Sequence, residues 1–242
     1  MLHLTIENAI KNKHMKFKHY ILLVALTMGF VTKSFSQHKT YAITNGIGIF
    51  GGLTKFDIQT DNFVTKQGDG FLGGLSATVD IPHRWYNMSY GMQLSENYIH
   101  ILGRTNQDLV NSEETFIEYK LFAAQLALLG HIKLAGNYFT IDAGPMVQYN
   151  GKLELKDKSQ ESYFINDFAN VSATDIANIS KVNFNGVVGA TAGIKNFKLK
   201  AQYIYGFTNI LKKLNTQEGL ESENESFKGN QSMLVFGAMF CF

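Results

Sequence analysis

The sequence predicts an all-β fold: a single antiparallel up-and-down transmembrane β-barrel of eight strands, preceded by a signal peptide. Three observations lead to this prediction. The 242 residues include 22 glycines, 2 prolines and 13% aromatic residues, a composition that suits turn-rich sheets better than helices. Several segments alternate between apolar and polar residues, as half-exposed strands do. Short and long connections between these segments also alternate along the chain, which is typical of outer-membrane barrels.

The N-terminal region predicts a secretory signal over residues 1–36. A basic stretch follows Met15, an apolar run covers residues 20–31, and small residues precede Gln37. This run is well short of the roughly 20 apolar residues that a spanning helix needs. We therefore expect translation to start at Met15, cleavage to occur before Gln37, and residues 37–242 to form the barrel domain.

Eight alternating segments follow one another along this domain. The clearest ones have one apolar and one largely polar face, and they cover residues 71–81, 139–150, 182–194 and 197–208. Weaker matches cover residues 41–55, 88–95, 116–134 and 231–242. An even number of strands of this length is suited to a closed barrel.

The segment 116–134 alternates with an interruption. Its apolar residues switch from odd to even positions near residues 122–124. One extra residue in a strand exchanges the two faces of that strand, so the switch predicts a β-bulge at this point. On this prediction Tyr119 faces outward, while Glu118 and Lys120 face the lumen.

The connections place the two ends of the predicted barrel. Short turns at one end are typical of the periplasmic side, so we expect both termini there and the long loops outside the cell. The loop 151–181 exceeds ordinary connection lengths and contains the aromatic residues Tyr163, Phe164 and Phe168. We predict that this loop contacts an unidentified protein or polysaccharide partner.

The predicted lumen is filled. A barrel of about eight strands leaves just enough interior for its own side chains, so we expect no open pore. Polar and charged residues on the inward face should form a network there, because the lipid face tolerates charge poorly. The predicted members of this lumen network are Glu118, Lys120, His131, Asp142, Lys198 and Lys200.

Charge and residue types argue against several other classes of protein. Lys and Arg number 22 against 20 Asp and Glu, which gives no field that favours nucleic acid. The single cysteine, Cys241, rules out an intramolecular disulfide and a Cys-based zinc site. No two histidines of residues 37–242 have metal-ligand spacing, and the acidic stretch 218–225 lacks the ligand spacing of an EF-hand. We therefore expect no metal, no cofactor and no enzymatic activity.

Two alternatives stay open at this stage. A lipid-modifying barrel enzyme could use Ser95, Glu96 and His100 at the outer end of the third strand, although regular alternation puts Ser95 on the opposite face. A soluble secreted carrier of the lipocalin type has the same period with its charged residues outside. The loop asymmetry and the apolar C-terminus favour the membrane barrel.

The domain also resembles a known family, the PorT-like outer-membrane β-barrel proteins of Bacteroidota. The likeness rests on GFLGGLSATVDIPHRWYNMSYGMQLSENYIHILGR (70–104), IDAGPMVQYN (141–150), VNFNGVVGATAGI (182–194) and QYIYGFTNI (202–210). It implies an eight-stranded barrel in the bacterial outer membrane, in contact with outer-membrane lipid. Most members of the family have no assigned role, and the founding member is implicated in protein secretion, so an accessory role in secretion is an expectation from that member. These segments are fold patterns and contain no catalytic motif.

The chain ends on FGAMFCF, residues 236–242, with an aromatic residue at its last position. Counted back from the end, Phe242, Phe240 and Phe236 share the face that also carries Leu234, which is the apolar-out pattern of a closing strand. The family resemblance implies that these three phenylalanines are the ending that the barrel-insertion machinery recognises.

Overall fold

The fold consists almost entirely of β-strands. The computed structural model describes residues 44–80, 83–106, 112–166, 168, 170–217, 220 and 226–242, and the predicted signal peptide therefore lies outside the described residues. The strands in chain order are β1 Thr44–Gln59, β2 Thr65–Asp80, β3 Tyr86–Arg104, β4 Glu114–Ala135, β5 Phe139–Leu155, β6 Phe164–Ile165, β7 Val182–Gly193, β8 Phe197–Gly206 and β9 Asn230–Cys241.

The eight long strands form a closed ring. Each is antiparallel to its neighbours in the order β1, β2, β3, β4, β5, β7, β8, β9, and pairing of β9 with β1 closes the ring. The two-residue β6 belongs to the loop after β5 and pairs with the outer end of β3. The predicted up-and-down barrel of eight strands is confirmed.

The side chains that face outward form an apolar band around the ring, which we call the lipid band. Its exposed residues include Ile49 and Leu53 on β1, Leu75 on β2, Met92 and Leu94 on β3, Leu126 and Leu128 on β4, Val147 on β5, Val188 on β7, Leu199 on β8 and Phe236 on β9. On β4 the band runs from Phe122 to Leu134. At about 3.3 Å per residue and a tilt of about 45° this distance spans roughly 28 Å, close to the thickness of a bilayer core.

The composition of this band decides between a membrane barrel and a soluble one. The outward positions of the eight strands at this level carry apolar, Gly or Ala side chains, while many of the inward positions carry polar residues such as Gln125, Gln148 and Asn185. A soluble carrier would have the opposite arrangement, so that alternative is wrong for this part of the molecule. The chain is an integral barrel of the bacterial outer membrane.

Towards the end of the barrel that carries the long loops, the polarity of the two faces is exchanged. On β3 the inward residues change from polar Ser95 and Asn97 to apolar Ile99, while the outward residues change from Leu94 to Glu96. β1, β4 and β5 show the same exchange at about the same level. We call the part of β1–β5 beyond this exchange the projecting sheet, because its outer face is charged and lies beyond the lipid band.

This exchange corrects the prediction of a bulge in β4. Odd-numbered residues of β4 face inward without interruption from Ile117 to Gln125, so β4 has no change of phase there. The register against β5 does shift at this level, but the extra residue lies in β5 between Asn150 and Leu153. The sequence pattern near residue 122 therefore marks the end of the lipid band.

The outer mouth of the barrel is closed by loops. The segments between β5 and β7 and between β8 and β9 contain short 3₁₀ helices at Lys158–Ser162, Asp175–Ala177 and Lys212–Thr216. Their apolar side chains pack against the inward residues of the projecting sheet and share one core with them, including Ile117, Leu121, Ile176, Leu214 and Phe227. We call this assembly the apolar cap. At the other end, the turns between barrel strands are short, with Gly136 at φ 57° between β4 and β5.

Candidate functional site

The half of the lumen nearest the short turns holds a hydrogen-bonded cluster around Asp142. This residue is fully buried, and its Oδ1 atom lies 2.6 Å from His131 Nδ1 and accepts from Thr140 Oγ1 at 2.7 Å. Its Oδ2 atom accepts from Thr191 Oγ1. On the other side of the imidazole, His131 Nε2 lies 2.7 Å from Ser89 Oγ. The structure thus brings the predicted lumen residues His131 and Asp142 into direct contact.

Lys198 and Lys200 lie in the same half of the lumen. Together with Ser89 and His131 they line a polar cavity of about 20 Å³. The ammonium group of Lys200 lies 4.9 Å from the centre of the Phe50 ring, an arrangement that favours a cation. These two predicted lumen residues are therefore close to the Asp142 cluster.

An ion pair that the sequence did not reveal lies at the end of β2. Lys133 Nζ donates to Asp80 Oδ1 at 2.5 Å, and Asn137 Nδ2 donates to Asp80 Oδ2 at 2.8 Å. Both charged side chains are largely withdrawn from solvent. The two contacts tie β2 to β4 and to the turn that follows β4, at the short-turn end of the barrel.

The prediction that Glu118 and Lys120 line the lumen is wrong. Both lie on the outer face of the projecting sheet, where Lys120 Nζ is 3.6 Å from Glu154 Oε2 and Glu118 Oε2 is 2.9 Å from Lys156 Nζ. The inward positions of β4 at this level are occupied by Ile117, Tyr119 and Leu121, which are all fully buried in the core of the cap. Because the outside at this height is water, the charged residues of β4 face outward here.

A layer of amide side chains crosses the middle of the lumen, and the sequence did not predict it. Gln125 Nε2 donates to Gln148 Oε1 at 2.7 Å, and Gln93 Nε2 donates to Gln125 Oε1. Gln148 also pairs reciprocally with Gln231 at 2.7 and 2.8 Å and accepts from Asn185 Nδ2 at 3.0 Å. These five amides come from five strands and are all buried. Glutamines at inward positions of several strands were the signal that could have revealed this layer.

Three aromatic rings form the centre of the apolar cap. Phe63 lies 5.6 Å from Phe227 and 5.8 Å from Phe168, and Phe168 lies 5.7 Å from Phe227, measured between ring centres. Asn209 and Asn215 each donate a side-chain N–H to the carbonyl of Phe227, at 2.8 and 3.0 Å. These backbone contacts hold the Phe227 ring inside the mouth of the barrel.

Two strand residues bind the loop between β5 and β7 to the barrel wall. The buried guanidinium of Arg104 donates to the carbonyls of Ile165 and Phe168 at 2.8 and 2.6 Å. The Tyr119 hydroxyl donates to the carbonyl of Ala173 at 2.9 Å. Burial raises the pKa of the Tyr119 hydroxyl, so it remains a donor at neutral pH.

The loop 151–181, which the sequence analysis expects to contact a partner, is partly buried in the apolar cap, and its contact with a partner stays a prediction. Its first residues belong to β5, and its aromatic side chains Tyr163 and Phe168 are partly buried against the core of the cap. Ile176 and Ile179 are buried as well. The aromatic residues thus close the mouth of the barrel, and the strongly charged surface at this end is the outer face of the projecting sheet.

The residues considered for a lipid-modifying enzyme do not meet. Ser95 faces the lumen, where its Oγ accepts from Asn97 Nδ2 at 3.0 Å. Glu96 lies on the outer face and accepts from Tyr98 at 2.7 Å, and His100 lies on the same face, 3.8 Å from Glu118. The wall of the barrel therefore separates Ser95 from the other two residues.

The last strand seals the ring as its alternation predicts. Phe236, Phe240 and Phe242 are exposed on the lipid side, and Phe240 packs edge-on against Phe197 with ring centres 5.1 Å apart. The backbone N–H of Phe242 donates to the carbonyl of Ile47 on β1 at 2.8 Å. Recognition of these phenylalanines by the insertion machinery stays a prediction.

The residues that the structure describes include no group of three or more His, Cys, Asp and Glu side chains placed to hold a metal ion. The acidic positions 218, 221, 223 and 225 lie outside the described residues. In the described part of the chain, no helix has both the length and the apolar character that crossing a membrane requires.

No family model matches the chain. No curated protein sequence matches it. Among solved structures it is similar to neisserial surface protein A, with a TM-score of 0.45 and 11% identity over 80% of this chain and 96% of that one. It is also similar to Ail, the attachment invasion locus protein of Yersinia pestis, solved in complex with the heparin analogue sucrose octasulfate, with a TM-score of 0.40 and 12% identity over 82% and 99% of the two chains. The assignment of this chain to the outer membrane depends on its own closed ring and lipid-facing band.

Proposed function

We propose that this chain is an outer-membrane barrel with a sealed lumen that presents the outer face of its projecting sheet to a protein partner at the cell surface. The observation that supports this most is the exchange of polarity along β1, β3, β4 and β5. It means that ordered strands continue beyond the lipid band and do not end at it in loose loops. β4 continues from Lys120 to Glu114, about 20 Å of strand at 3.3 Å per residue.

Three layers argue for a sealed lumen. From the short-turn end outward they are the Asp142 cluster, the amide layer around Gln148 and the apolar cap around Phe227. We expect the folded protein in planar lipid bilayers to give no steps of ionic current. Steady conductance in the unmodified protein would contradict a sealed lumen.

The outer face of the projecting sheet is suited to a charged protein surface. Lys55 pairs with Asp69, Lys120 pairs with Glu154, and Lys156 lies 4.9 Å from the ring centre of Tyr98. Charges of both signs on rigid strands favour one complementary surface and disfavour wrong partners. The ordered backbone also reduces the entropy that binding would cost, compared with a flexible loop.

Site-specific crosslinking tests this proposal. A photoreactive amino acid at position 98, on the outer face of the projecting sheet, should give a discrete protein adduct in intact cells. The same probe at position 92 faces the lipid band and is the matched control. A polysaccharide smear at position 98, or equal protein adducts at both positions, would count against a specific protein partner.

The resemblance to PorT-like proteins supports a narrower proposal, an accessory role in secretion. This role predicts that a strain lacking the chain releases less secreted protein, and that charge reversal at Lys120 and Glu154 together reproduces part of the loss. If secretion were unchanged while crosslinking to the partner stayed intact, the secretion role would be wrong and the docking function would stand.

A further inference from the structure

Two lysines lie at the outer end of the lipid band, where β5 and β7 meet. The outward side chains of β5 are apolar or aromatic up to Tyr149, and those of β7 are apolar up to Val182. The next charged residues of the two strands, in the direction away from the membrane, are Lys152 and Lys181, and both are exposed. The backbone N–H of Asn150 donates to the carbonyl of Lys181 at 2.7 Å, so Lys181 lies opposite a residue two positions from Lys152. The two flexible side chains can therefore reach a common ligand at this boundary.

These two lysines differ in their surroundings from the lysines on the outer face of the projecting sheet. There, Lys120 Nζ is 3.6 Å from Glu154 Oε2. Among the residues that the structure describes, neither Lys152 nor Lys181 has an acidic side chain within ion-pair distance. The sequence 176–217, which includes β7 and β8, contains no Asp or Glu. In the described part of the chain, this boundary thus has positive charge without acidic partners, which favours an anionic ligand.

Aromatic side chains lie beside the two lysines on the lipid side. Tyr149 and Phe184 are more than half exposed, and Phe207 is 69% exposed. The N–H of Phe207 donates to the carbonyl of Phe184 at 2.9 Å, and the Phe207 ring packs over Gly186 and edge-on against Tyr205, with ring centres 5.9 Å apart. Exposed aromatic rings at the ends of barrel strands mark the level of the lipid headgroups. The two lysines are therefore at the height of the headgroups of the outer leaflet.

We propose that Lys152 and Lys181 bind the phosphate group of an anionic lipid in the outer leaflet of the membrane. The two ammonium groups donate to the phosphate oxygens, and the acyl chains of the same lipid lie against Tyr149 and Phe184. The site continues the lipid band without a break, so a lipid supplies both the negative charge and the hydrocarbon that the adjoining surfaces require. It lies where the projecting sheet meets the short strand β7, and it does not depend on the proposed docking to a protein.

Native mass spectrometry of the protein folded in detergent micelles tests this proposal, with diphosphoryl lipid A as the probe. We expect a saturable complex that forms much less tightly with the same lipid A after its phosphates have been removed. Lys152→Gln and Lys181→Gln should each weaken binding about fivefold, and the double variant about 25-fold, which is the usual contribution of lysines near an anionic membrane surface.

The matched control removes two other exposed lysines, by Lys158→Gln and Lys195→Gln together. Lys158 lies in the first 3₁₀ helix and Lys195 in the short turn between β7 and β8, so both are away from this boundary. The control should bind lipid A as the unmodified protein does. Folding of each variant is checked by the mobility shift between unheated and heated samples on a gel.

Weaker binding in the double variant, with the control unchanged, supports the proposal. Equal binding of lipid A with and without its phosphates, or equal binding by the double variant, would mean that the acyl chains alone make the contact and would overturn it. The proposal is also wrong if inorganic phosphate forms the same lysine-dependent complex in the absence of lipid, because the ligand is then a free ion.

Discussion

The part of the barrel inside the lipid band, which we call the membrane half, shares strands with the projecting sheet. The inward and outward faces of these strands have opposite polarity in the two parts. In the membrane half, apolar residues such as Leu128 face outward and Gln125 faces inward, whereas in the projecting sheet Ile117 faces inward and Glu118 outward. The backbone decides only that neighbours face opposite sides. Which side is apolar depends on whether lipid or water lies outside. Four substitutions, one on each face of each half, test this comparison.

The largest effect is expected on the inward face of the projecting sheet. Ile117→Ala removes a fully buried side chain from the apolar cap and should lower the free energy of unfolding by about 2–5 kcal/mol. Urea unfolding in micelles, followed by the fluorescence of the single tryptophan Trp85, measures this loss. The neighbouring, exposed Phe116→Ala should cost less than about 1 kcal/mol. Equal losses would mean that the cap is not a packed core.

The second-largest loss of stability is expected on the outward face of the membrane half. Leu128→Lys puts a charge into the middle of the lipid band and should cost about 2–4 kcal/mol in folding into lipid vesicles. Phe116→Lys makes the same kind of change on the same face of β4, but above the band, and should cost less than about 1 kcal/mol. If both variants lost the same stability, the lipid band would not end at residue 122.

A smaller loss is expected on the inward face of the membrane half. Gln148→Ala leaves Gln125, Gln231 and Asn185 without their common partner, at a cost of about 1–3 kcal/mol. Urea unfolding of the variant gives the value. Gln59→Ala, at the exposed outer end of β1, is the control and should be close to neutral. If Gln148→Ala left the free energy of unfolding unchanged, water would replace the Gln148 amide in this layer without loss of stability.

The smallest effect is expected on the outward face of the projecting sheet. Lys120→Ala removes a solvent-exposed pair with Glu154 and should cost about 0–1 kcal/mol, and less at high salt. Unfolding titrations at low and high salt measure it. A loss as large as that of Ile117→Ala, insensitive to salt, would show that Lys120 is buried by something on this face.

Strict alternation was sufficient to predict the strands that lie mostly within the lipid band. β8 and β9 face the way their sequences indicate, because one environment surrounds them along most of their length. β4 could not be predicted in the same way, since its sequence does not say where the lipid ends. The prediction therefore interpreted the change from lipid to water as a bulge, and it assigned Glu118 and Lys120 to the lumen.

The candidate site was predictable only in part, because the period of a strand gives the face of each residue but not its partners on the neighbouring strands. His131 and Asp142 could be assigned to the inward face from period alone. Their contact with Ser89 depends on the register of β3 against β4 and of β4 against β5, which the sequence does not give. The apolar cap was missed because Phe227 and its neighbours lie in loops, where no strand period marks them as buried.

The unequal strands of the ring have a mechanical consequence. β4 has 22 residues and β8 only 10, so the hydrogen-bonded seams on either side of β8 are much shorter than the seam between β3 and β4. A lateral pull on the wall, or the first step of unfolding, meets least resistance at these short seams. The barrel therefore has a weak side, next to the strand that closes it, and a strong side that supports the tall part of its wall.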